Sequence, residues 1–241
     1  MMRTDFLVHW TGKDIERDRG QLDEPKRASY VDRLVDIVNN GFWMGGVKEK
    51  LGGAGEASLI YEAPVTCFTE IRLSAAKEHS KLYGLLGIAV GRRFVLERFG
   101  GPVFYVRNHD TETIVANARA IYGVLERATE SGPGKVKDAT ISHLAILVAY
   151  MKGMSNPGTD DFESLDEQEW RIVQTMEQVK KGSIVETGIE RPQYRIPLKA
   201  GDIQAVVFPD AETRHLALSR GGGLEVLKGV PMPTVRECEM F

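Results

Sequence analysis

The sequence predicts an α+β fold, a single domain in which helices pack on a mixed or antiparallel sheet. Three observations carry this. Short apolar runs rich in β-branched and aromatic residues recur along the chain, between segments of helical periodicity. Their order lacks the regular strand–helix–strand spacing of a doubly wound parallel sheet. The 241 residues, 42% of them hydrophobic, suffice for one full core. The division that follows is one domain over residues 1–220 and a loosely ordered, glycine-rich tail over 221–241.

Phe6 to Trp10 reads as a buried strand that Thr11-Gly12 ends. Lys13 to Lys26 is charged, contains Pro25 and is expected to be a mobile, solvated loop. Ala28 to Asn40 is a helix with Tyr30, Leu34, Ile37 and Val38 on one face, stopped by Asn39-Asn40-Gly41. Phe42-Trp43-Met44 leads back into the core. Gly45 to Glu56 is glycine-rich and expected to be a flap or surface loop; Glu56-Ala57 after its last glycine is not a phosphate-loop ending.

Pro64 to Phe68 is the next buried strand. Ser74 is a plausible N-cap for a helix carrying Glu78, His79 and Tyr83. Gly87 to Val90 is a strand, Arg92 to Phe99 a short helix or turn, and Pro102 to Val106 another strand after the Gly100-Gly101 turn. Helices follow over Thr111 to Thr129 and Ala139 to Met151. Glu167 to Val173 supports a helical turn or a strand, and the alternation of Trp170 and Ile172 with Glu169 and Arg171 favours the strand. Tyr194 to Pro197 and Ile203 to Phe208 are closing strands, and Ala211 to Ser219 is a last helix.

The formal net charge of -3 provides no global basic field, so nucleic acid as a partner gets no support from charge. The basic residues between Arg72 and Arg107 read as a solvated face, with a local nucleic-acid face as the alternative. Two cysteines, Cys67 and Cys238, make neither a disulfide framework nor a zinc site, which fits a reducing compartment. No apolar stretch is long enough to span a bilayer, so a cytoplasmic protein without membrane association is expected.

Three groups of residues have chemistry to offer. His9-Trp10-Thr11-Gly12 ends a strand, where an imidazole and a hydroxyl can meet a ribose and glycine lets a ligand approach the backbone. The plainer reading is a strand-end histidine that satisfies a loop carbonyl. Glu167, Glu169 and Arg171 share one face of a strand; they form a structural ion-pair ladder or hold a carboxylate ionised in a cleft. His79 and Tyr83, four residues apart, line a site or anchor their helix. No metal site is expected.

In this order and spacing, several segments resemble the AbiGi family of abortive-infection antitoxins. They are His9-Trp10-Thr11-Gly12, the helix from Tyr30 to Gly41, Thr66-Cys67-Phe68-Thr69-Glu70, His79 to Gly84 with Gly87-Ile88, Pro102 to Tyr105, and Glu167-Gln168-Glu169-Trp170-Arg171. The resemblance implies phage defence of toxin–antitoxin type, with a cognate toxin or antitoxin as partner. The opening segments are also similar, more distantly, to ADP-ribosyltransferase folds. That similarity implies NAD as cofactor, with His9 and Thr11 on its adenosine ribose and Thr69 on the nicotinamide side. Glu169 is then the catalytic carboxylate, with Glu167 as its substitute, stabilising an oxocarbenium ion as nicotinamide leaves. Two functions stay open: an NAD-dependent ADP-ribosyltransferase acting on nucleic acid or protein, and a non-catalytic antitoxin or regulatory binding protein that keeps the fold. The first requires His9 and Glu169 to converge on one cleft. The second expects the Lys13 to Lys26 or Gly45 to Glu56 segment to meet a partner.

Overall fold

A computed structural model describes residues 6–16, 20–51, 59–106, 146–153 and 168–238, with 120, 121, 123, 124 and 127; at 47–51 and 59–62 it describes the backbone alone. The fold is α+β, as expected, and its main sheet is antiparallel.

Strand β1 (Phe6–Thr11) is followed by helix α1 (Glu24–Asn40), then β2 (Phe42–Leu51) and β3 (Leu59–Thr69). A 3-10 turn (Leu73–Ala75) leads into α2 (Ala76–Tyr83), then β4 (Leu86–Gly91) and α3 (Arg92–Leu96). Short strands β5 (Gly101–Pro102), β6 (Phe104–Val106) and β7 (Met151–Gly153) precede β8 (Glu169–Val173). The chain continues through α4 (Met176–Lys180), β9 (Val185–Glu186), β10 (Tyr194–Ile196), β11 (Ile203–Val207), α5 (Ala211–Arg220), a 3-10 turn (Leu224–Leu227) and α6 (Val235–Cys238).

The sheet order is β11-β4-β1-β3-β2-β10-β9, with β8 and β5 branching from β3. The branch arises because β1 and β2 share one edge of β3. β2 pairs with its first half, from Leu51↔Leu59 to Gly45↔Val65, and β1 takes over at Val8↔Thr69. The other edge, Val65 to Thr69, pairs with Val173 to Glu169 of β8. The sheet curls, because strands near its two ends feed one core. Ile196 of β10 and Val206 and Phe208 at β11 join Leu7, Phe42, Phe68, Ile88 and Ile172 around Tyr30, Val31, Leu34 and Ile37 of α1. The outer face is covered in two places. Val8, Trp10, Ala89, Ala205 and Val207 pack with Ala76 of α2 and Cys238 of α6, and Ala63, Val65 and Val173 pack with Ala149.

Several expected boundaries move, each for a local reason. α1 begins at Glu24, inside the segment expected to be loop. Asp23 caps it by accepting the Lys26 N–H at 3.0 Å, and Pro25 sits in its first turn, where a missing N–H is harmless. The expected Gly45 flap is strand as far as Leu51, because β3 supplies an antiparallel partner that local glycine content does not reveal. Residues 52–58 lie outside the described residues. Ser74 lies inside the 3-10 turn and caps no helix. The expected strand Pro102 to Val106 is divided: Gly101–Pro102 pairs with β8, and Phe104–Val106 pairs in parallel with Met151–Gly153. Of the two expected helices 111–129 and 139–151, most lies outside the described residues; 146–149 is helical and Met151 is already strand.

The tail after Arg220 is docked, against the expectation of a loose end. Leu227 and Cys238 are buried, and residues 231–235 run along the outer edge of β11. There Val206 and Phe208 donate to the carbonyls of Pro231 and Pro233 at 3.0 and 2.9 Å. Among the described residues, no helix is long and apolar enough to cross a membrane.

Candidate functional site

Glu169 opens β8 and is buried. Its Oε1 accepts from Arg171 Nε at 2.6 Å; its Oε2 accepts from Arg171 Nη2 at 3.2 Å and from Lys152 Nζ at 2.7 Å. Arg171 is buried too, and its Nη1 donates to the Ala149 carbonyl at 2.6 Å. The spacing of two residues places both side chains on one face of β8, which is why a pair so close in sequence can close on itself. Burial pushes the Glu169 carboxyl upward, yet the Arg171 hydrogen bonds and charge, with Lys152 behind them, hold it at about 2. The neighbouring Cys67 thiol, which faces the same carboxylate, is pushed up by burial. Glu169 is therefore held ionised between two cations inside the protein. Glu167, the expected substitute, lies outside the described residues.

His9 faces the opposite side of the sheet. Val8, Thr69 and Glu169 form one row across β1, β3 and β8, so their side chains share the outer face. His9 is the next residue along β1 and points inward, against the rings of Phe42 and Phe68 at centroid distances of 5.1 and 5.8 Å. Its Nδ1 donates to the Cys67 carbonyl at 2.8 Å. This bond follows from the sheet topology. β2 leaves the edge of β3 at Val65 and β1 joins it at Thr69, so the Cys67 carbonyl between them has no strand partner. Burial lowers the His9 pKa, the bond to Cys67 opposes this, and Arg33 lowers it further. Strand parity therefore places His9 and Glu169 on opposite faces of the sheet among the described residues.

The other expected residues are similarly dispersed. Thr11 Oγ1 accepts from Arg33 Nη1 at 2.9 Å. Gly12 adopts φ 101°, and a Cβ there would overlap the Tyr30 ring at 2.2 Å, so this glycine makes room for a core tyrosine. Thr69 Oγ1 donates to the Val8 carbonyl at 3.3 Å. Trp10 packs in the outer cluster with Ala76 and Cys238. The rings of His79 and Tyr83 are stacked at 6.3 Å, and Tyr83 borders that same cluster. His79 is buried.

Sequence reading missed a surface group centred on Trp43, which is 37% exposed. Its Nε1 donates to Asp36 Oδ2, and the same carboxylate accepts from Arg195 Nη1 at 3.0 Å and from Asn40 Nδ2 at 2.8 Å. The guanidinium of Arg33 lies 4.6 Å from the indole centroid and that of Arg195 lies 5.5 Å from it. Arg33, Asp36 and Asn40 occur at helical spacing just before Trp43, a signal that could have been read. Arg195 could not, since only the β10–β2 register, Arg195↔Trp43, brings it there. Beside this group lies a groove of about 590 Å³, walled by Trp43 and the turn Glu190 to Gln193 and floored by Gly45, Gly46, Ala63 and Pro64. The aromatic ring and the two guanidinium groups are held in fixed orientations, and no catalytic constellation accompanies them among the described residues.

A family model described as "Putative abortive phage resistance protein AbiGi, antitoxin" matches residues 55–196. The match covers β3, β8, and the Glu169 and Arg171 pair, and it begins after the His9 to Gly12 segment. No curated protein and no solved structure matches the chain.

Proposed function

The chain belongs to the AbiGi family of abortive phage resistance proteins, and on that premise we propose that it is an antitoxin-type binding protein of phage defence. In this reading it restrains a cognate toxin by direct contact and does not turn over NAD. The observation that carries it is the placement of Glu169. A carboxylate that stabilises an oxocarbenium ion must face the substrate with its charge available. Glu169 instead spends its charge on Arg171 and Lys152 inside the outer layer, across the sheet from His9. The Trp43 group and its groove add support, since they offer a preorganised surface for a protein partner.

The test must remove the carboxylate without leaving Arg171 as a buried unpaired charge. The double variant Glu169→Gln/Arg171→Met replaces the pair together and keeps an amide oxygen at 169 to accept from Lys152, so that neither Arg171 nor Lys152 is left without an acceptor. The binding reading expects this variant to protect phage-challenged cells like the wild type, and it expects no nicotinamide release from NAD at micromolar protein. Nicotinamide release by the wild type that disappears in the folded double variant, together with lost protection, would establish the transferase reading instead.

A further inference from the structure

The part of the β2 edge beyond Met44, unpaired on its β10 side among the described residues, is placed to accept an added strand. β10 pairs with β2 at Ile196↔Phe42, Arg195↔Trp43 and Tyr194↔Met44, and then turns away through Gln193 to Glu190. β2 itself continues to Leu51, paired with β3 on its other side. Among the described residues, no strand pairs with β2 beyond Met44 on the β10 side.

The hydrogen-bonding direction of this edge follows from β3. The Pro64 carbonyl accepts the Gln174 N–H at 2.9 Å, and the Glu70 N–H donates to the Gln168 carbonyl at 3.0 Å. Even-numbered residues of β3 therefore bond toward β8, and Pro64 has no N–H to offer in any case. Gly46 stands opposite Pro64, so that pair is not hydrogen-bonded, and the Gly46 N–H and C=O point away from β3. Lys48 and Lys50, two and four residues on, repeat the same orientation. These three residues continue the row in which Phe42 and Met44 face β10. The groove of about 590 Å³ lies at the start of this row, and a Cβ built on Gly45 would meet nothing within 4 Å.

We infer that the Gly46–Lys50 edge of β2 is the docking site for an extended segment of the partner protein, about five residues long (~17 Å) and acidic at alternate positions. The inference rests on the binding reading above and supplies its mode. Two features select this occupant. The sequence places lysine at both 48 and 50; Lys48 stands opposite Glu62 of β3 and Lys50 opposite Ile60, so the row keeps a positive excess that a guest strand with carboxylates opposite the lysines complements. A second copy paired antiparallel about Lys48 would set lysine against lysine, a common guard against self-association at edges. At the far edge of the sheet, β11 is covered by the chain's own Pro231 to Val235 segment.

The test is amide hydrogen exchange at Gly46 in the isotope-labelled full chain, with a short capped peptide alternating threonine and glutamate as the probe. Fast exchange in the free chain is expected, with slowing of about tenfold or more when the peptide is added. A peptide alternating threonine and lysine is expected to have no effect. Gly46→Pro removes the outward N–H without touching the ladder to β3, and it should abolish the slowing at Lys48 while keeping the wild-type melting curve. If that variant does not fold, Lys48→Glu/Lys50→Glu serves instead and should reverse the preference to the lysine peptide.

Slow exchange at Gly46 in the free chain overturns the inference, because it means that the chain covers its own edge. Slowing that grows with protein concentration overturns it in favour of a second copy. So does failure of the glutamate peptide to bind. Protection of phage-challenged cells separates the two levels. Gly46→Pro that folds and still protects defeats the docking edge and leaves the binding reading standing, whereas NAD turnover defeats the binding reading itself.

Discussion

The ionisation of Glu169 has consequences that can be measured. Its folded-state pKa of about 2 lies below its ordinary value of 4.5, so the group stabilises the fold above pH 4.5 and loses that contribution as pH falls toward 2. The difference corresponds to roughly 3 kcal/mol. His9 acts in the same direction at higher pH. Its pKa is lowered from 6.5, so protonation favours the unfolded chain as pH drops below that value. Urea denaturation followed from pH 7 to pH 3 should therefore show two successive losses of stability, with the upper one missing in His9→Gln. A flat profile between pH 7 and 5 in the wild type would contradict the burial of His9. The single substitution Glu169→Ala leaves Arg171 uncompensated and should cost about 3–5 kcal/mol, read from the shift in denaturation midpoint.

Among the elements, the passage from α1 to β2 is tightly specified. Gly41 ends the helix at φ 90°, and a Cβ there would stand 2.2 Å from the Ile196 carbonyl oxygen. Both the backbone angle and the contact with β10 demand glycine. Gly41→Ala should destabilise the protein by roughly 2–3 kcal/mol, detectable by thermal unfolding. The Trp43 group sits immediately beyond, so a shifted β2 would also loosen the indole. Near-ultraviolet circular dichroism of Gly41→Ala should lose part of its tryptophan signal even where the helical signal survives. At the other end of α1, Asp23 is a helix cap, and its replacement by Ala should cost about 1 kcal/mol.

For the whole molecule, the decisive features are the two treatments of sheet edge. One edge is sealed by the chain's own C-terminal segment, whose Pro231 and Pro233 carbonyls accept the Val206 and Phe208 N–H groups of that edge. Removal of residues 221–241 should therefore do more than shorten a tail. It bares the β11 edge, uncovers the outer face where Cys238 packs and strips Leu227 from the core. The expected outcome is a lower melting temperature and concentration-dependent association in size-exclusion chromatography. A truncated chain that stays monomeric with an unchanged melting temperature would show that the segment is dispensable.

Periodicity and composition were enough for the α+β class, the apolar stripe of α1 and the cores of β1, β3, β4, β8, β10 and β11. These are local properties: a side chain's place in a two-residue or 3.6-residue repeat is written in the chain itself. What needed the tertiary structure was everything that depends on pairing between distant strands. The splitting of the Pro102 to Val106 segment, the extension of β2 through a glycine-rich stretch and the docking of the tail are set by partners far along the chain. The same holds for the two groups proposed at first as walls of one cleft. Sequence places His9 and Glu169 at strand positions, but only the register Val8↔Thr69↔Glu169 tells which face each takes, and one residue of parity puts them on opposite sides of the sheet.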